Sequence, residues 1–139
     1  PLLILTLAVT AIIISIFKLK PPVQPIVDVL MKEDKVPVLI YSSLFASIAG
    51  PIMEEIFFRG FMYNACKKKV NVFWAILITS SIFSLLHAHV VGFLPILILG
   101  ILLAYLYEKT GSLIPSMTVH IIHNLVSLAM VFLVKGFNY

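Results

Sequence analysis

Five long apolar runs, separated by short polar and basic breaks, organise this chain. Residues 2–17 carry no charge and stop at Lys18-Leu19-Lys20 and Pro21-Pro22, which predicts a transmembrane helix. Residues 21–35 are a proline-rich connector in which Val23, Ile26, Val27, Leu30 and Met31 alternate loosely with Asp28, Lys32, Glu33 and Asp34. That pattern predicts a short amphipathic segment at the interface. Residues 36–65 form a run of about 30 residues, roughly 45 Å as one helix, which must tilt, project or kink. Gly50-Pro51 sits in its middle, and proline removes one helical hydrogen bond. The expected outcome is a kink, or a break that opens the helix just before Glu54. Lys67-Lys68-Lys69 closes the run. Residues 70–86 follow, with Trp74 as an interface anchor and His87-Ala88-His89 at the end. Residues 93–107 are a shorter run, ended by a predicted turn at Glu108-Lys109-Thr110-Gly111, and residues 112–134 are the last.

Every run is of helix length, and backbone in lipid must satisfy its own hydrogen bonds. The predicted class is therefore all-α: a polytopic transmembrane helix bundle of about five spans, with a polar cavity between helices. Composition agrees, since 61% of residues are hydrophobic and only 12% charged, outside the range of soluble domains. One domain over residues 1–139 is expected. The chain opens on Pro1 inside an apolar run, so a longer protein with a missing N-terminal segment is expected.

The net charge of +4 could suggest nucleic acid, but the lysines sit at the ends of apolar runs, so membrane flanks explain them. Lys18, Lys20, Lys32, Lys35 and Lys135 fall on one side and Lys67, Lys68, Lys69 and Lys109 on the other, which fixes no orientation. The single cysteine, Cys66, excludes an internal disulfide and any multi-cysteine metal site.

One apolar run breaks the rule that charges lie outside. Glu54, Glu55 and Arg59 fall within it, where each charge costs about 2.5–3.5 kcal/mol at a helix centre. Glu55 and Arg59 are spaced i,i+4 and share a face, while Glu54 lies about 100° round the helix. Arg59 is expected to neutralise Glu55, leaving Glu54 for proton transfer. The bland alternative is an ion cluster that fixes helix packing. His87 ends the next run and His89 is read as interfacial. His120 and Asn124 share a face deep inside the last run; alone, either could be interhelical glue. His123 is expected to support or pack.

Together these groups could activate water and stabilise an oxyanion, the requirement for hydrolysing a peptide bond. They could also hold a divalent metal and its water, with Glu54, His87 and His120 as the ligands. No HExxH pattern is present.

Three segments carry a resemblance. Glu54-Glu55-Ile56-Phe57-Phe58-Arg59 resembles the EExxxR motif of the CPBP intramembrane proteases (the CAAX protease and bacteriocin-processing, or Abi, family), which include the type II CAAX prenyl endopeptidase. Phe83-Ser84-Leu85-Leu86-His87 resembles its FxxxH motif, and His120-Ile121-Ile122-His123-Asn124 its HxxxN motif. The likeness runs over roughly residues 40–130, with the motifs in the family's order on three apolar helices. It implies that Glu54 activates water with help from His87. It implies that His120 and Asn124 hold the water or the oxyanion, and that Glu55 and Arg59 form the supporting pair. The family has been read both as metalloproteases and as glutamate-dependent proteases, so zinc is a candidate cofactor. The expected substrate is a membrane-associated peptide or protein, with the lipid bilayer as surroundings and no nucleic acid. The alternatives are a non-enzymatic membrane scaffold or immunity protein, which needs no such residue set, and a transporter or proton relay, which the lack of internal repeats disfavours.

Overall fold

The computed structural model describes residues 2–18, 25–87 and 90–137. His89, read as interfacial, lies outside them. Among the described residues all regular structure is helical, in the order α1 (Leu2–Phe17), α2 (Pro25–Lys32), α3 (Val36–Lys67), α4 (Val72–Leu86), α5 (Val90–Thr110) and α6 (Leu113–Phe137). Three of these, α3, α5 and α6, are long and apolar enough to cross a bilayer. The other two apolar helices are shorter: α4 has 15 residues, about 22 Å, against a hydrocarbon core of about 30 Å. Large apolar side chains such as Ile40, Phe61, Leu86 and Leu133 are exposed around the bundle, as a lipid solvent allows.

Proline does not interrupt α3. The helix runs from Val36 to Lys67, and the turn Phe45–Ala49 widens instead, so that the Gly50 N–H bonds the Phe45 carbonyl five residues back. A proline ring clashes with the carbonyl four residues before it, and a wider turn relieves that contact. A second widened stretch, Ile56–Tyr63, follows. Here the Asn64 amide reaches back to the Arg59 and Gly60 carbonyls at 3.1 and 2.8 Å.

The turn expected at Glu108-Lys109-Thr110 is also corrected. These residues are helical, and α5 stops only where Gly111 takes a φ of 64°. Charge does not end a helix; a residue in the left-handed region does. Glu108 faces inward from the last turn and accepts from Lys67 Nζ at 2.6 and 2.7 Å and from Tyr63 Oη at 2.9 Å, tying α3 to α5.

The closest pairing is between α4 and α5; α1 also lies on α5, and α6 lies across α3 and α5. Buried Phe83, Ala75, Leu99, Leu103 and Ala104 fill the seam. The connector helix α2 does more than lie at an interface. Leu30 is buried, and Lys135 of α6 donates to the Leu30 and Glu33 carbonyls at 3.1 and 2.6 Å. A cation at a helix C-terminus satisfies carbonyls that lack intrahelical donors.

At Gly100 the α4–α5 seam has no room. A β-carbon there would lie 3.1 Å from Ser80 Cβ and 3.2 Å from Phe83 Cδ1. Gly136 has no neighbour within 4 Å of such a carbon. Thermal unfolding in detergent should therefore show Gly100→Val destabilised by about 1–3 kcal/mol and Gly136→Ala unchanged.

Candidate active site

Adjacent carboxylates on a helix point about 100° apart, and α3 uses that angle to give its two glutamates different surroundings. Glu55 is fully buried, and Arg59 is 2% exposed. Arg59 Nη1 donates to Glu55 Oε1 at 2.6 Å, and Nη2 donates to the Gly100 carbonyl of α5 at 3.0 Å. The guanidinium carbon stands 4.8 Å from the centre of the Phe83 ring of α4, within cation–π range. Helix α6 adds His120, whose Nδ1 lies 3.1 Å from the same Glu55 Oε1. A carboxylate accepts, which assigns the Nδ1 proton to this bond. Four helices thus meet at one buried ion pair.

Glu54 is free of that cluster. Its side chain is 35% exposed, and its Oε2 lies 3.7 Å from His120 Nε2. This is longer than a direct hydrogen bond but leaves a water off the line within reach of both atoms. His87 ends α4, with Nδ1 2.7 Å from the Phe83 carbonyl. A carbonyl only accepts, so Nδ1 carries a proton and Nε2 is the nitrogen left for other chemistry. Phe83 supports both imidazoles, its ring centre 4.7 Å from that of His87 and 5.8 Å from that of His120.

Glu54, His87, His120, His123 and Asn124 line a single cavity of about 380 Å³. Its remaining wall is largely apolar, built by Val27, Leu30, Ile96, Leu99, Leu128 and Val131. The three predicted sets on α3, α4 and α6 are therefore brought together. Asn124 has a specific partner: its Nδ2 donates to the Ala46 carbonyl of α3 at 3.0 Å. His123 Nδ1 sits 3.4 Å from Asn124 Oδ1, and its Nε2 is buried with no hydrogen-bond partner.

A catalytic zinc needs three close protein ligands. Among the described residues, no three His, Cys, Asp or Glu side chains are grouped to hold an ion. Of the suggested set of Glu54, His87 and His120, the last has Nδ1 held by Glu55, which leaves Nε2 as its free nitrogen.

Sequence reasoning missed several participants. The Gly100 and Ala46 carbonyls are backbone groups and leave no mark in residue type. Val27, Leu30 and Val131 look like ordinary membrane residues; the amphipathic pattern of α2 was the only signal.

Apolar helices wrapped round a cavity that carries a few polar groups define an integral, multi-pass membrane protein. The family model described as "Type II CAAX prenyl endopeptidase Rce1-like" matches residues 36–126, which contain all three motifs. The chain belongs to that family. It is also 37% identical over 101 residues to a protein of Bacillus subtilis (strain 168) named "Putative membrane peptidase YdiL". That match takes in 73% of this chain and 39% of the relative, so the chain spans about two fifths of the relative's length. No solved structure matches it.

Removing one partner of a buried ion pair strands the other in low dielectric, at a cost of about 3–5 kcal/mol. Arg59→Met should show a loss of that size in thermal unfolding. Arg59→Met combined with Glu55→Gln should lose less than the sum of the two single changes.

Proposed function

We propose that this protein is an intramembrane endopeptidase in which Glu54 activates water without a resident metal. The observation that carries the reading is the separation of the two glutamates: Glu55 is held by Arg59 and His120, while Glu54 opens on the cavity that His87 and His120 also line. A structural ion cluster needs one carboxylate for its arginine and gives the second no reason to face a cavity.

The chemistry follows from the groups present. A water beside Glu54 Oε2 and His120 Nε2 attacks the scissile carbonyl carbon, and Glu54 accepts its proton. The carbonyl oxygen becomes an oxyanion. His87, with Nδ1 anchored on Phe83, presents an unprotonated Nε2 that accepts from the water. The tetrahedral intermediate then collapses, the C–N bond breaks, and Glu54 returns the proton to the leaving amine. The products are a new carboxylate and a new ammonium, the carboxyl proton passing to the amine, with one water consumed. Glu55 takes no proton; it holds the Nδ1 hydrogen of His120 and so fixes which nitrogen faces Glu54.

The cavity wall bears on the substrate. With Val27, Leu30, Ile96, Leu99, Leu128 and Val131 lining it beside the polar groups, it favours an apolar side chain next to the scissile bond. The substrate class is a peptide or protein segment presented from the bilayer.

The test uses the complete protein in detergent with a panel of apolar membrane peptides, read by mass spectrometry. Glu54→Gln should lower cleavage by about a thousandfold and His87→Ala by at least about a hundredfold. Excess chelator should leave the wild-type rate unchanged. Cleavage that survives Glu54→Gln rules out the proposed base. Loss with chelator and recovery with one metal ion replaces this mechanism with a metalloprotease.

A further inference from the structure

Asn124 lines the cavity, and one of its two amide hydrogens is engaged away from it. Nδ2 donates to the Ala46 carbonyl of α3 at 3.0 Å. Helix geometry explains why that carbonyl is available. In an α-helix its donor would be the N–H of residue 50, four residues on, but Gly50 N–H turns to the Phe45 carbonyl. In the widened register the donor would be residue 51, which is proline and has no N–H. Ala46 is thus left without a backbone donor by Pro51 and the widened turn together. A carbonyl left unpaired away from water costs free energy comparable to a lost hydrogen bond.

We infer that Asn124 is a positioning residue: it caps the Ala46 carbonyl, holds the widened turn before Pro51, and so sets the direction in which Glu54 points. Phase is the physical link. One extra residue in a helical turn rotates everything after it by about 100° relative to what came before. Glu54 follows Pro51 by less than one turn. If the turn at Phe45–Ala49 relaxes to ordinary α geometry, the segment before it and the pair Glu54–Glu55 change their relative facing. The Arg59 cluster anchors the later part of α3, and the bond to Asn124 anchors the earlier part to α6. Glu54 lies between the two anchors. Pro51 belongs to the same device, because it is what leaves Ala46 in need of a donor from outside.

The inference rests on Glu54 being the reacting carboxylate, but its test needs no substrate. Dicyclohexylcarbodiimide couples to carboxyl groups in membranes, and the rate at Glu54 can be followed by peptide mass spectrometry on the whole protein in detergent. Asn124→Ala should change the Glu54 labelling rate by at least about threefold. In the Pro51→Ala background a backbone N–H returns, from residue 51 in the wide register or residue 50 in the α register. There Asn124→Ala should change the rate by less than about threefold. Asn124→Leu keeps the volume and removes the same donor, so it replaces the alanine change if that variant does not fold. Any other pattern overturns the inference; an unaltered rate after Asn124→Ala means that Asn124 acts on the substrate alone. Failure here leaves the endopeptidase reading standing, because that reading is judged by cleavage and this one by labelling.

Discussion

A buried carboxylate cannot stand alone in hydrocarbon, and the site is built from that constraint. Glu55 must have a cation, and Arg59, one turn on, supplies it. The arginine then has hydrogens left over. One goes to the Gly100 carbonyl, and the guanidinium face rests on Phe83. Glu55 Oε1 also accepts from His120, while Oε2 is buried without a hydrogen-bond partner. Each step recruits another helix, so α3, α4, α5 and α6 are registered against one another by a single charge. Low dielectric makes such a cluster strong when complete and costly when broken.

Glu54 inherits its freedom from this arrangement. Because its neighbour takes the arginine, Glu54 can be left without a formal counter-ion, facing the cavity and the outer nitrogen of His120. The aim of that side chain then depends on the phase of α3, and the phase depends on two widened turns. Each has an asparagine close by: Asn124 donates to Ala46 in the first, and Asn64 donates to Arg59 and Gly60 in the second. Widened turns misplace carbonyls, and an amide side chain can reach them. The same residue type answers the same backbone problem on either side of the glutamates.

Much of this was legible in the chain. Uninterrupted apolar runs dictate helices in lipid, because no other element satisfies its own backbone there. The i,i+4 spacing of Glu55 and Arg59 dictates a shared face, and the charges stand out because their surroundings are so apolar. What could not be read was backbone-borne. Gly50-Pro51 suggested a kink or an opening; the helix does not open but continues through a widened turn, which removes the proline clash at lower cost than breaking the chain of hydrogen bonds. Glu108 looked like part of a turn because it is charged, whereas Tyr63 and Lys67 give it partners and Gly111 ends the helix. The grouping of Glu54 with two imidazoles followed from the family motifs, but the dependence of Asn124 on Ala46 did not. It needs the coordinates of a carbonyl, and a sequence carries no sign of which carbonyls are unpaired.

The central claim is that Glu54 acts on water and does not itself attack the substrate. Single-turnover cleavage of a membrane peptide in heavy-oxygen water tests this most directly, with both the new C-terminus and the Glu54 peptide weighed afterwards. Direct attack by water places one heavy oxygen in the new carboxylate during the first turnover and none in Glu54. Heavy oxygen in Glu54, or a first-turnover product without it, would mean an acyl intermediate on the glutamate and would contradict the account.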